Sequence, residues 1–166
     1  MKIVFASTNK GKIKEVRKIL YPHEVLSLTD IGFFDEIIED GNSFQENAMI
    51  KAKAVFDKCH LLTIADDSGL CVYALDGAPG IYSARYANTH NDDDNNALLL
   101  ENLKGKENRS AKYVCALAAI YPSGREKVYI GELDGRIIDE YRGLNGFGYD
   151  PLFYVDSYQK TTAEMT

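Results

Sequence analysis

Apolar positions along the chain follow a strand period first and a helical period next. Lys2 to Ala6 reads as a β-strand, and Ile13, Val16, Ile19 and Leu20 fall at helical spacing over Gly11 to Leu20. Glu24 to Leu28 returns as a second strand, after which Thr29 to Asn42 is irregular and acidic. Ser43 then opens a helix, with Glu46 three residues on completing a capping box. Phe44, Ala48, Ala52, Val55 and Phe56 form its buried stripe, which leaves Asn47 and Lys51, four apart, on a shared neighbouring face. The apolar runs Leu61 to Ala65 and Leu70 to Ala74 predict two strands, with Gly69 supplying the backbone freedom for a turn between them. Asp92 to Leu103 is a further helix, opened by three acids that suit its N-terminal dipole. Ala111 to Tyr121 and Glu126 to Leu133 pair as a hairpin around Pro122-Ser123-Gly124, Arg136 to Tyr141 continues the sheet, and Leu152 to Val155 follows the last loop. Helices alternating with strands, then a strand-rich section, predict a mixed α/β sheet with helices on its faces.

A chain of 166 residues with 45% hydrophobic content buries one good core, and no repeat, linker or low-complexity tract divides it. The expectation is a single domain over residues 1–166. A net charge of −6 argues against a nucleic-acid polymer as partner, because duplex binding needs a broad basic surface; a small anion held by a few lysines is compatible. Cys59, Cys71 and Cys115 show no CxxC spacing, which fits a reducing cytosol, and His23, His60 and His90 are too scattered for a structural zinc site. No run is long enough for a signal peptide or a membrane span, so a cytoplasmic protein without membrane partners is expected.

Five clusters carry candidate chemistry. Ile64-Ala65-Asp66-Asp67-Ser68-Gly69-Leu70 ends an apolar run on two adjacent carboxylates. Such a pair either shares a cation, for which Mg²⁺ is the default with oxygen ligands, or forms a plain Asx turn. Ser7-Thr8-Asn9-Lys10-Gly11-Lys12 joins the first strand to the first helix, where free amides and the helix dipole favour phosphate, although polar strand-to-helix turns also occur without a ligand. The acidic segment Glu36 to Asp40 offers Glu39 as a metal ligand, with Asn47 and Lys51 behind it; the other reading is a solvated loop. Asp76 to Tyr86 places Arg85 beyond a Gly-Pro loop, as a phosphate donor or an ion-pair partner. Finally, Gly146-Phe147-Gly148-Tyr149-Asp150-Pro151 lets backbone approach a flat ligand on which Phe147 or Tyr149 could stack, or is a structural turn. His90-Asn91-Asp92-Asp93-Asp94 lacks the glycine and final glutamate of a calcium loop and reads as a helix start.

In this order and at these spacings the clusters closely resemble the Ham1-like inosine triphosphate pyrophosphatase family, also called dITP/XTP pyrophosphatases. The resemblance runs from Lys2 to Met165. It implies an elongated α/β fold with a mixed sheet flanked by helices, two lobes around a central cleft as in the ITPase and Maf folds, and a homodimer. It also implies Mg²⁺-dependent hydrolysis of the purine nucleoside triphosphates ITP, dITP and XTP to monophosphate and pyrophosphate, a house-cleaning of the nucleotide pool. Residue by residue, Ser7, Thr8, Asn9 and Lys12 match the triphosphate loop. Glu39 and Asp67 match the metal-binding acids, with Asp67, or the adjacent acid Asp66 if the roles are exchanged, as the catalytic proton acceptor. Lys51 and Ser68 match substrate contacts, Phe147, Gly148, Tyr149 and Asp150 the nucleoside loop, and Lys160 a later substrate lysine.

Members of that family continue beyond Glu164-Met165-Thr166 through a Ser-His-Arg motif, whose histidine and arginine are thought to read the 6-keto purine, and a C-terminal helix. The expectation is therefore a Ham1-like domain without that segment. Two rival readings stand beside it. One is a phosphatase of simpler phosphate esters that releases orthophosphate; the other is a nucleotide-binding protein without catalysis.

Overall fold

The computed structural model of the chain describes residues 1–165. Seven strands form one sheet in the order β2-β1-β3-β4-β5-β6-β7, with β1 at Lys2–Phe5, β2 at Glu24–Leu26, β3 at Leu62–Val72, β4 at Ser110–Ile120, β5 at Glu126–Ile137, β6 at Phe153–Val155 and β7 at Lys160–Thr161. Among the described residues three α-helices accompany it: α1 at Lys10–Ile19, α2 at Phe44–Cys59 and α3 at Asp92–Leu103. β1 runs parallel to β2 and to β3, whereas β5, β6 and β7 pair antiparallel, so the sheet is mixed as the sequence pattern implies.

The described residues divide into two compact units, residues 1–67 with 115–130 and residues 68–114 with 131–165. In the first, Ile3, Val4 and Phe5 are all buried. A central parallel strand is covered on both faces, which is why β1 reads as an unbroken apolar run. Phe5, Ile13 and Val25 form the small core that seats α1, with Val16 and Leu20 against it. On α2 the stripe Phe44, Ala48, Ala52 and Val55 is buried, and Ser43 caps the helix by accepting the Glu46 N–H at 3.1 Å. The Glu46 carboxylate reaches back one residue further than a capping box requires and accepts from the Asn42 N–H at 2.6 Å.

In the second unit Leu70, Val72, Leu99, Leu103, Ile137, Leu152 and Phe153 pack around Tyr149. Asn91 caps α3, its side chain accepting the Asp94 N–H at 3.1 Å, so the acidic run is a capped helix start.

Two sequence expectations are corrected. β3 runs unbroken through Asp66-Asp67-Ser68-Gly69, so Gly69 makes no turn; ladder pairing overrides the weak strand preference of Gly and Asp. β5 likewise passes through Asp134-Gly135 to Ile137, where a break was expected. The short strand β7 and the 3₁₀ turns Tyr73–Leu75, Gly80–Arg85 and Thr162–Glu164 carry no periodic signal and were not anticipated.

Candidate active site

The parallel pairing fixes where the first cluster lies. Phe5, the last residue of β1, is in register with Ile64, and the Ala6 N–H donates to the Ile64 carbonyl at 2.8 Å. β1 then turns into α1 while β3 continues for two residues to Asp66, which brings that aspartate beside the first turn of α1. Asn9 caps α1 by accepting the Lys12 N–H at 3.0 Å, and Ser7 accepts the Asn9 N–H at 3.1 Å. Thr8, Asn9, Lys10 and Gly11 are exposed at a helix N-terminus, the arrangement that receives phosphate. Lys12 Nζ lies 2.7 Å from Asp66 Oδ2.

Successive side chains of a strand diverge, and the two aspartates have different partners. Asp66 is buried, its carboxylate on Lys12, and its main-chain carbonyl accepts a hydrogen bond from Lys51 Nζ. Lys51 also stands 3.3 Å from Glu39 Oε1. Asp67 faces Lys51, Glu39 and the Asn47 side chain, from which it takes a hydrogen bond. Burial is the largest influence on Asp67 and, with the Glu39 charge, pushes its carboxyl up to about 6 against the pull of Lys51, Asn47 and Lys12. Asp67 Oδ2 is buried with no hydrogen-bond partner among the described residues.

That orphaned oxygen tests whether a cation belongs here. Two neighbouring carboxylates, one with an unpartnered oxygen, suit a divalent cation that prefers oxygen and keeps water and phosphate in its shell. No group of three or more acidic, histidine or cysteine side chains able to hold a metal occurs among the described residues. Glu39 and Asp67 therefore fit a cation that takes its other ligands from solvent and substrate.

The second unit carries a loop of different chemistry. Asp150 Oδ1 accepts from the Tyr113 hydroxyl at 2.9 Å and from Thr162 Oγ1 at 2.8 Å, while its Oδ2 accepts the Phe147 N–H at 3.0 Å. Burial and the Asp150 charge push the Tyr113 phenol well up, so it stays a donor. Gly146 takes a positive φ of 73°, and a Cβ there would strike the Asp150 carboxylate. Phe147 is 49% exposed, whereas Tyr149 is 5% exposed and donates its hydroxyl to the Ser83 carbonyl at 2.6 Å. Of the two aromatics named as stacking candidates, Tyr149 belongs to the core and only Phe147 is open to a ligand.

A family model described as the Ham1 family matches residues 3–166. The chain belongs to the Ham1 family. A protein of Desulfotalea psychrophila named dITP/XTP pyrophosphatase is 48% identical over 99% of this chain and 75% of its own length. One of Bacillus subtilis with the same name is 48% identical over 98% of this chain and 85% of its own length. The structure of the Staphylococcus aureus Ham1 protein superposes with a TM-score of 0.91 at 41% identity, covering 100% of this chain and 87% of that one.

Within this Ham1 fold Lys12, Glu39, Lys51, Asp66 and Asp67 come together in the first unit. Phe147, Gly148, Tyr149 and Asp150 form one loop in the second, where Arg85 is exposed and stacks over the Tyr82 ring at 5.3 Å, Ser68 continues β3 and Lys160 is exposed on β7. Asn47, on the face it shares with Lys51 beside the buried stripe, is 4% exposed and holds the Gly41 N–H at 2.8 Å as well as Asp67. Its spacing four residues before Lys51 was the available signal. Tyr113, Thr162 and Ser83 support the loop from distant sequence positions and gave no local signal.

Proposed function

We propose that this Ham1-family chain is a pyrophosphohydrolase of purine nucleoside triphosphates, converting ITP, dITP and XTP to monophosphate and pyrophosphate with Mg²⁺. The observation that carries the reading is Asp67, a half-buried carboxylate raised to about 6 between Glu39 and Lys51 with one buried oxygen unpartnered. That value belongs to the metal-free chain, and a bound cation would lower it toward the ionised form that accepts a proton. The names of the relatives support the substrate.

Glu39 and Asp67 would hold the cation. When bound, it neutralises phosphate oxygens and draws charge from the reacting phosphorus. Ser7, Thr8, Asn9 and the first amides of α1 receive the phosphates, and Lys12, Lys51 and Lys160 balance their charge. Asp67 accepts the proton of the water that attacks the α-phosphorus. Asp66, entered among the catalytic acids on sequence, instead aligns Lys12 through its carboxylate and Lys51 through its carbonyl. Phe147 stacks on the base. Arg85, carried from the sequence as a phosphate contact, has the weakest support, since its guanidinium lies on Tyr82.

A homodimer in the cytoplasm belongs to the same reading. The exposed Val128, Tyr129 and Ile130 support the first and three free cysteines the second. No helix among the described residues is long and apolar enough to cross a membrane. Binding without turnover is the weaker alternative, because a nucleotide can be bound without a half-buried carboxylate that keeps an oxygen unpartnered. The test is pyrophosphate release from ITP and from GTP in Mg²⁺. Pyrophosphate from ITP with little from GTP is expected; orthophosphate, or no product from a folded chain, overturns the reading.

A further inference from the structure

Both main-chain polar groups of Gly148 are taken by α3. Its N–H donates to Asp92 Oδ2 at 3.0 Å, and its carbonyl accepts from Asn96 Nδ2 at 3.0 Å. Asp92 and Asn96 stand four residues apart, one above the other on the same helix face, so a single rigid element grips the glycine from both sides. Its neighbours are held as well. The Phe147 N–H is occupied by Asp150 Oδ2, the Asp150 N–H by the Phe147 carbonyl, and the Tyr149 hydroxyl by Ser83.

The loop's polar groups are thus largely spent within the protein, and the Phe147 ring is what it offers outward. An aromatic face stacks on any base because every base has a π surface, whereas discrimination between bases needs donors and acceptors aimed at their edges.

We propose that Asp92 is a positioning residue for nucleotide binding: by holding the Gly148 N–H it sets the Phe147 ring against the purine, and the loop contributes stacking affinity without base selectivity. The proposal rests on the placing of the nucleoside at this loop under the proposed function. Asp92 touches no reacting atom, so it acts on KM and leaves kcat alone.

The experiment is steady-state pyrophosphate release from ITP and XTP by the full chain and its variants. Asp92→Ala is expected to raise KM about tenfold for both substrates, the loss of one well-set stacking partner, with kcat within about twofold. Asp92→Asn, whose Oδ1 still accepts the Gly148 N–H, recovers most of the loss. In a Phe147→Ala background Asp92→Ala adds nothing further, since both remove the same stacking. An unchanged KM, a change confined to one of the two bases, or additive losses overturns the proposal. A second measurement needs no variant and no turnover: amide exchange of Gly148 in the unmodified chain, slow if the clamp holds, while rapid exchange overturns it. A chain that makes no pyrophosphate fails the proposed function yet still reports on the clamp, so the two failures are distinguishable.

Discussion

Lys12 Nζ meets Asp66 Oδ2 at 2.7 Å, joining the first turn of α1 to the middle of β3 with the two side chains 25% and 9% exposed. The pair holds Lys12, the lysine proposed to meet phosphate, in place without a ligand. Asp66→Asn keeps the shape and removes the charge. It should lower stability by about 1–2 kcal/mol, between the values of exposed and buried pairs, and reduce kcat/KM about tenfold while leaving turnover measurable. Urea unfolding and pyrophosphate release check both.

Asp67→Asn should behave in the opposite way. Turnover falls by roughly 10²–10⁴, the range of a lost general base. Stability of the metal-free chain near neutral pH rises, because a charge with one unpartnered buried oxygen is removed; discounting for the part of the carboxyl open to solvent, the gain is on the order of 1 kcal/mol. A loss of stability in urea would contradict the burial argument.

The pH dependence follows from the same carboxyl. Its pKa is 3.8 in the unfolded chain and about 6 in the folded, metal-free one. Between those values the unfolded state has released the proton and the folded state keeps it, so this group's contribution to stability is full below 3.8 and is lost as pH rises through about 6. A carbon NMR titration of Asp67 should show the raised midpoint and a fall on adding Mg²⁺, since a neighbouring cation favours the ionised form. A midpoint indifferent to Mg²⁺ would remove Asp67 from the metal site.

Gly143 and Gly124 share a positive φ, 89° and 87°, and differ in their surroundings. A Cβ on Gly124 meets nothing, whereas one on Gly143 strikes the main chain at Ala163 and Glu164, which cannot swing aside. Gly124→Ala should cost about 1–2 kcal/mol for its backbone conformation alone. Gly143→Ala should cost more, and thermal unfolding of the two variants compares them directly.

Local signals were legible. The α2 apolar stripe, the Ser43 cap and the hairpin at Gly124 are written in neighbouring residues and recur in the structure, whereas of the α1 stripe Ile13, Val16 and Leu20 face the core and Ile19, 76% exposed at the helix end, does not. What needed three dimensions was not. Asp66 and Asp67 look like one cation-sharing pair in sequence, yet a continuous strand sends them to different partners. Tyr149 looks like a stacking residue until its hydroxyl is found on Ser83, 66 positions away. Asp92 looks like a helix start, and is one, while also holding a glycine 56 residues on.

The most direct test of the central claim is hydrolysis of ITP in ¹⁸O-labelled water with Mg²⁺, followed by mass spectrometry of the products. Attack at the α-phosphorus predicts one labelled oxygen in the monophosphate and unlabelled pyrophosphate. Label in orthophosphate, with diphosphate as the nucleotide product, would contradict it.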